Sequence, residues 1–236
     1  MKFNLLDKLL NSKLKSVHKK DCKYNFYKTQ IKELKEDKIE IYNFKKVRSI
    51  LKSYKEIGVI ESCFDNVDEY MIYDSYIHGI NHNLRVLIHS IILSSLLNLD
   101  KDSFKIIIYA AMYHDIGRVN DIEDKSHGKR SADKINELKL DLNNEQNDIL
   151  RVIVHCHSLP DEEFDNICKE YKIKDVELCR TLFNILKDSD ALDRVRLGYP
   201  YIKTDFLRIS YSLSLIKFAY EFCYNYKRIN EVCVWK

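Results

Sequence analysis

The stretch AAMYHDIGR, residues 110–118, decides the fold. It overlaps an apolar run, Ile106 to Tyr113, and then places two polar residues, His114 and Asp115, in the same helical register. His114 follows Ala111, Ala110 and Ile107 by three, four and seven residues, and Asp115 stands in the same relation to Met112, Ala111 and Ile108. At about 3.6 residues per turn such positions share a face, so an imidazole and a carboxylate are aimed at an apolar interior. Neighbouring residues on a helix diverge by about 100°, which lets the pair offer one ligand to each side of a cleft. Ser103 is placed to cap this helix and Gly117 to end it.

Outward from this pair, almost every segment after residue 75 carries the same period. From His82 the positions Val86, His89, Leu93 and Leu96 recur at helical spacing. Ser126 can cap a helix from His127 to Leu138, and Asn143 or Asn144 opens another that runs to Cys156 through Ile149, Val152 and Ile153. Pro160 suits the first turn of a short helix. A further helix from Asp175 shows Cys179, Leu182, Phe183 and Leu186 on one face, and a last one fills residues 206–229. Only 5 Gly and 2 Pro occur in 236 residues, against 45% hydrophobic and 32% charged, which excludes a collagen-like, low-complexity or many-turned β protein. No internal repeat, Asn-Gly hairpin signal or Gly/Ser linker interrupts the pattern. The expectation is an all-α protein: a helical bundle over residues 75–200, a basic helical extension at 1–74, and a C-terminal helix in 201–236 that packs on the bundle.

Seven scattered cysteines without a CxxC pair read as reduced, mostly packed thiols. The apolar run from Ile106 to Tyr113 is far short of a membrane span, and the N-terminal MKFNLLDKLL is broken by Asp7 and Lys8 before a signal core can form. A cytoplasmic protein without a transmembrane segment is expected. Charge is uneven: residues 1–55 hold 16 basic and 6 acidic side chains, a balance of +10, against −7 for the rest. Such an arm could steer a nucleotide, a nucleic acid or an anionic membrane surface, although Lys-rich helices are more often simply well solvated.

Other polar residues also fall on apolar stripes. Asp190 lies four, seven and eleven residues after Leu186, Phe183 and Cys179, and His155 three after Val152. A lone histidine on an apolar face is more often a core residue than a ligand, and His89 is read as a core or surface residue rather than a ligand. Several imidazoles and carboxylates aimed at one interior are costly unless paired, and a cation satisfies them together. A mixed His and carboxylate set suits Mn, Fe, Co, Ni or Zn rather than Ca or Mg alone.

Five stretches carry a resemblance: HGINHNLRVL at 78–87, AAMYHDIGR at 110–118, SHGKRSA at 126–132, ILRVIVHCHS at 149–158 and KDSDALDRVR at 187–196. Together, and in this order, they resemble the HD superfamily of metal-dependent phosphohydrolases over about half the chain. The resemblance implies an HD-domain helical bundle and one or two divalent transition-metal ions. One ion would be held by His82, His114, Asp115 and Asp190. His127 and His155 look like the two further histidines of the two-metal branch, with Asp115 bridging. It further implies hydrolysis of a small phosphate ester, most naturally a nucleotide, by a metal-activated water. Arg118 stands where related proteins often carry Lys or Arg facing a phosphate, which makes Asp115 and Arg118 the expected catalytic pair. Arg85, Lys129, Arg130, Lys187, Arg194 and Arg196 are further anion-binding candidates. His78 is placed behind His82, His157 as a substrate contact or a loop residue, and Asp193 as a carboxylate that orients a ligand or pairs with an arginine.

Competing chemistry is not legible: no GxxxxGK[ST], HExxH, GxSxG or Rossmann glycine pattern occurs, and the residues directly after His155, CHSLPDEEFD, lack the GYP signature of cyclic-dinucleotide phosphodiesterases, a Gly-Tyr-Pro tripeptide occurring only at 198–200, beyond Asp190. Two rival functions use the same residues. One is a nucleotide-sensing or interaction module on an HD fold without turnover, against which an intact ligand set argues. The other is a di-iron oxygenase of a small polar substrate, which oxygen dependence and the bound metal would distinguish.

Overall fold

The structure, a computed structural model, describes residues 9, 11, 24–198 and 202–230. Among these residues there are ten α-helices and no strand. The helices are α1 (Tyr24–Glu36), α2 (Phe44–Ser53), α3 (Val59–Phe64), α4 (Ile80–Leu96), α5 (Lys101–Tyr113), α6 (His127–Ile135), α7 (Asn144–Cys156), α8 (Phe164–Glu170), α9 (Val176–Asp193) and α10 (Ser210–Asn230). The fold is thus the expected all-α bundle, and no helix among the described residues is long and apolar enough to cross a membrane.

Helix starts follow capping chemistry, with small shifts from expectation. Asp100 rather than Ser103 caps α5, its carboxylate accepting from the Asp102 and Ser103 N–H groups at 2.9 Å each. Asn143 and Gln146 form a reciprocal capping box on α7, and Asp175 accepts from Leu178 N–H at the start of α9. Ser126 occupies the cap position of α6 but makes no capping bond, and that helix stops at Ile135. The segment before α10 is a short 3₁₀ turn, Thr204–Phe206, so the last helix begins at Ser210.

Helices α4 and α5 form the centre: Val86 to His89, Ile91 to Leu93 and Phe104, with Ile106 to Tyr113, are nearly or wholly inaccessible. Helices α7, α9 and α10 close around them through Leu150, Val152 to Val154, Leu182, Phe183, Phe218 and Phe222. The N-terminal helices share this core. Ile31, Leu34, Val47 and Leu51 are buried, while Lys28, Lys32, Lys35, Lys45, Lys46 and Lys52 face solvent. Tyr54 donates its hydroxyl to the Leu99 carbonyl at 3.2 Å, and the Tyr42 N–H reaches the Ser214 carbonyl at 2.9 Å. The Lys-rich character of residues 24–55 is therefore the solvated side of amphipathic helices. Most of the basic stretch 1–23 lies outside the described residues.

Among the described cysteines, Cys63, Cys156, Cys168 and Cys179 are buried, Cys223 is half-buried, and all five are free. Cys22 and Cys233 lie outside the described residues. Burial pushes the Cys156 thiol up to about 12, which makes it a packing group rather than a nucleophile.

Candidate metal centre

Helix ends converge on one point. His82 enters from the first turn of α4, His114 is the residue that ends α5, Asp115 follows it, His127 opens α6, and His157 ends α7. Two glycines permit this closeness. A Cβ on Gly117 would lie 2.4 Å from both the His127 carbonyl oxygen and the Ser131 nitrogen, and one on Gly128 would lie 2.6 Å from the His155 carbonyl oxygen. No larger residue allows α6 to seat against the His114-Asp115 turn and the end of α7 together.

Asp115 is the hinge of the arrangement. Its Oδ2 lies 3.7 Å from both His82 Nε2 and His114 Nε2, and its Oδ1 lies 3.1 Å from His127 Nε2 and 3.5 Å from His157 Nε2. Two groups able to hold a cation result, His82 with His114 and Asp115, and Asp115 with His127 and His157, all of them buried. Asp190 Oδ1 lies 3.3 Å from His82 Nε2, with about a third of its side chain (32%) open to the cleft.

The outer nitrogen of every imidazole is engaged. His82 Nδ1 meets Asp193 Oδ2 at 2.7 Å, His114 Nδ1 the Ala111 carbonyl at 3.0 Å, His157 Nδ1 the Val154 carbonyl at 2.6 Å, and His127 Nδ1 the Asp124 carbonyl. Those partners only accept, so in the neutral ring the proton sits on Nδ1 and Nε2 carries the lone pair. Yet the Nε2 atoms face one another, at 3.2 Å for His82 and His114 and 2.9 Å for His127 and His157. Burial pushes the His114 pKa down to about 3, which keeps that ring neutral near pH 7. Burial opposes charge on Asp115 as well, but as the pH falls the surrounding His114, His127, His157 and His82 take up protons and hold its carboxyl well below the usual range. Asp115 Oδ1 also lies 2.9 Å from Arg118 Nε without hydrogen-bond alignment, and neither atom has a hydrogen-bond partner. Converging lone pairs around an ionised carboxylate with an unsatisfied oxygen fit a divalent cation, and N and O donors suit a transition metal.

His155, expected in this set, is not brought to it. Its ring packs 6.0 Å from that of Tyr171 on the outer side of α7. Residues two apart on a helix point about 200° apart, and the chain keeps helical geometry through His157 (φ −61, ψ −29), so 157 faces inward where 155 faces out. The signal was present: His157 follows Val154, Ile153 and Leu150 by three, four and seven residues, and all three are fully buried. Reading the helix as ending at Cys156 hid it.

The basic residues divide by position. Arg118, Arg194 and Arg196 line a cleft of about 500 Å³ that opens on Asp115, His127 and His157. Arg85 lies behind the site, forked onto Asp193 at 2.6 and 3.0 Å and stacked 4.9 Å from the Tyr226 ring centroid. Arg130 donates to the Gly117 carbonyl at 2.9 Å and pairs with Asp124, bracing the loop. Lys129 points outward to Asp133. Lys187 reaches the Leu159 carbonyl and Asp161 at 2.6 Å each, on the wall of a second lobe. His78 is also on the cleft, with Nδ1 2.8 Å from Asp121. Arg208 and Asp161, which the sequence reading passed over, line the second lobe.

Residues 79–195 match the family model of the HD domain. The chain is an HD-domain protein, and the domain places it in a superfamily of metal-dependent phosphohydrolases that bind divalent metals. No curated protein and no solved structure gives a significant match to the chain.

Proposed function

We propose that the chain is a metal-dependent phosphohydrolase acting on a nucleotide or a related small phosphate ester, with residues 75–200 carrying the site. The observation that carries this reading is the position of Asp115, whose two oxygens each face a pair of inward imidazoles. His82, His114, Asp115, His127 and His157 would hold one or two divalent ions, with Asp190 at the open side. A bound divalent transition metal supplies a water of lowered pKa and positive charge beside the phosphoryl oxygens.

The protein's own part is orientation and charge. The four Nδ1 contacts fix each ring and its tautomer before any ligand arrives. Arg118 and Arg194 on the cleft wall present planar N–H forks to phosphoryl oxygens, where charge-assisted bonds strengthen as negative charge grows in the transition state. Protein purified without chelator should carry about one to two transition-metal ions per chain and release phosphate in a screen of mononucleotides, dinucleoside polyphosphates, cyclic dinucleotides and guanosine tetraphosphate. Folded, metal-free protein, or metal-loaded protein inert on every ester, would overturn the reading.

A further inference from the structure

Past the ligand set the cleft runs into a second lobe of about 700 Å³, a volume ordinary for a small-molecule site. One wall is Lys187, Asp190 and Arg194 from the end of α9 and the turn after it; the other is Lys203, Phe206 and Arg208, beyond the matched domain. That second wall is pinned. The fully buried Asp188 carboxylate accepts the Arg208 N–H at 2.9 Å, the Ile209 N–H at 2.8 Å and the Ser212 hydroxyl at 2.7 Å. Arg208 then forks onto Asp161 through Nε at 2.7 Å and Nη2 at 2.8 Å, and Lys187 meets Asp161 at 2.6 Å.

Charge decides what such a lobe accepts. Lys187 and Arg208 are already matched to Asp161 and Asp188. Arg194 lines both lobes, so it stands at the junction beside the ligand set. Lys203 Nζ lies 5.3 Å from the centroid of the Phe206 ring, which is 59% exposed although it lines the cavity. Two further carboxylates, Glu162 and Asp205, line the lobe and form no ion pair among the described residues. Beyond Arg194, then, the walls offer the exposed Phe206 ring with the Lys203 ammonium at one face, and the two unpaired carboxylates outnumber that one ammonium, which disfavours additional phosphates.

We propose that this lobe receives the nucleoside of a nucleoside monophosphate: the base stacks on Phe206, Glu162 and Asp205 accept from ribose hydroxyls or base amino groups, and Arg194 meets the single phosphate at the ligand set. The inference rests on the phosphohydrolase reading for which end of the substrate reacts. Stacking of a base on an aromatic side chain is typically worth about tenfold or more in binding.

The test uses the metal-loaded full chain with ribonucleoside 5′-monophosphates, the matching triphosphates and glycerol phosphate, and in parallel measures equilibrium binding of the free nucleosides. At least one monophosphate should exceed its triphosphate in kcat/KM by about tenfold or more. Phe206→Ala should cut the ratio of kcat/KM for that monophosphate over glycerol phosphate by about tenfold and weaken the nucleoside alike. Glu162→Gln with Asp205→Asn should narrow the preference over triphosphate. Preference for triphosphate, or an unchanged ratio in a Phe206→Ala protein that melts like the parent, overturns the proposal. Binding separates the two readings. If nucleoside binds in a Phe206-dependent way and no ester turns over, the hydrolase reading fails and the lobe stands. If glycerol phosphate is hydrolysed and no nucleoside binds, the lobe falls alone.

Discussion

On one side of Asp115 the imidazole of His82 leans on a carboxylate, and on the other those of His127 and His157 lean on backbone carbonyls. Burial opposes charge on Asp193, yet Arg85, His82 and Arg196 hold its carboxyl far below the usual range, so the anchor behind His82 is an anion. The Asp124 carbonyl belongs to a loop, residues 118–126, that is mostly exposed. The His82 half thus has one ring, that of His82, on an ionic network in the core and one, that of His114, on a backbone carbonyl, whereas both rings of the other half rest on backbone carbonyls alone. A carboxylate behind a ligating histidine raises its basicity and fixes its orientation more strongly than a carbonyl. We therefore expect the His82 half to hold its ion more tightly than the His127 half.

The sharpest way to break that division is to remove what the halves share. Asp115→Ala should strip both ions and abolish phosphate release, with helical content retained, as read by metal analysis and circular dichroism. Retention of a full metal complement would show that the histidines alone form the site. Next in size is the contrast between two neighbours. His157→Ala should remove one metal equivalent and leave the His82 half filled, whereas His155→Ala should change neither metal content nor kcat/KM by more than about twofold, since its ring lies against Tyr171. Equal losses from both variants would refute the placement of α7's last turn.

A smaller effect probes the anchors themselves. Asp193→Asn removes the charge behind His82 but keeps its shape, and should weaken the tighter ion by about 10- to 100-fold, the usual consequence of losing a partner behind a metal-bound histidine. Titration with a chelator should then empty the two halves in closer succession than in the parent, where the His127 half is expected to empty first. An unchanged order would mean that the anchors do not set affinity. Because Arg85 loses its ion pair, a thermal melt must accompany the measurement.

The difference in foundation also explains what could be read in advance. The His114-Asp115 turn was legible because it closes an apolar stripe, His82 and His127 only through the resemblance of the stretches that carry them, and the structure brings all of them to one point. His157 was obscured because it stands one residue past Cys156, where the periodicity puts the end of the helix, which leaves its register with the buried Leu150, Ile153 and Val154 unused. Anchoring by backbone carbonyls leaves no residue-type signature at all. Nor could the wall formed by Lys203, Phe206 and Arg208 be foreseen, since it depends on Asp188 catching a segment twenty residues further on.

His89 shows what a buried histidine looks like without any foundation. It lies on α4 two turns beyond His82, fully inaccessible, its ring edge-on to Phe218 and Phe222 at 5.9 Å each, and neither nitrogen has a hydrogen-bond partner. Burial pushes its pKa down to about 4 from an ordinary 6.5. The folded state therefore holds the neutral ring while the unfolded chain takes up a proton below 6.5. Stability from this residue is complete above that pH and falls as the pH drops from 6.5 towards 4. At pH 5 the loss should be about 2 kcal/mol relative to pH 7.5. His89→Leu, close in size and apolar, should flatten this part of the denaturation profile while leaving metal content alone. An identical pH slope in parent and variant would mean that His89 is hydrogen-bonded after all, and would remove the contrast with His82.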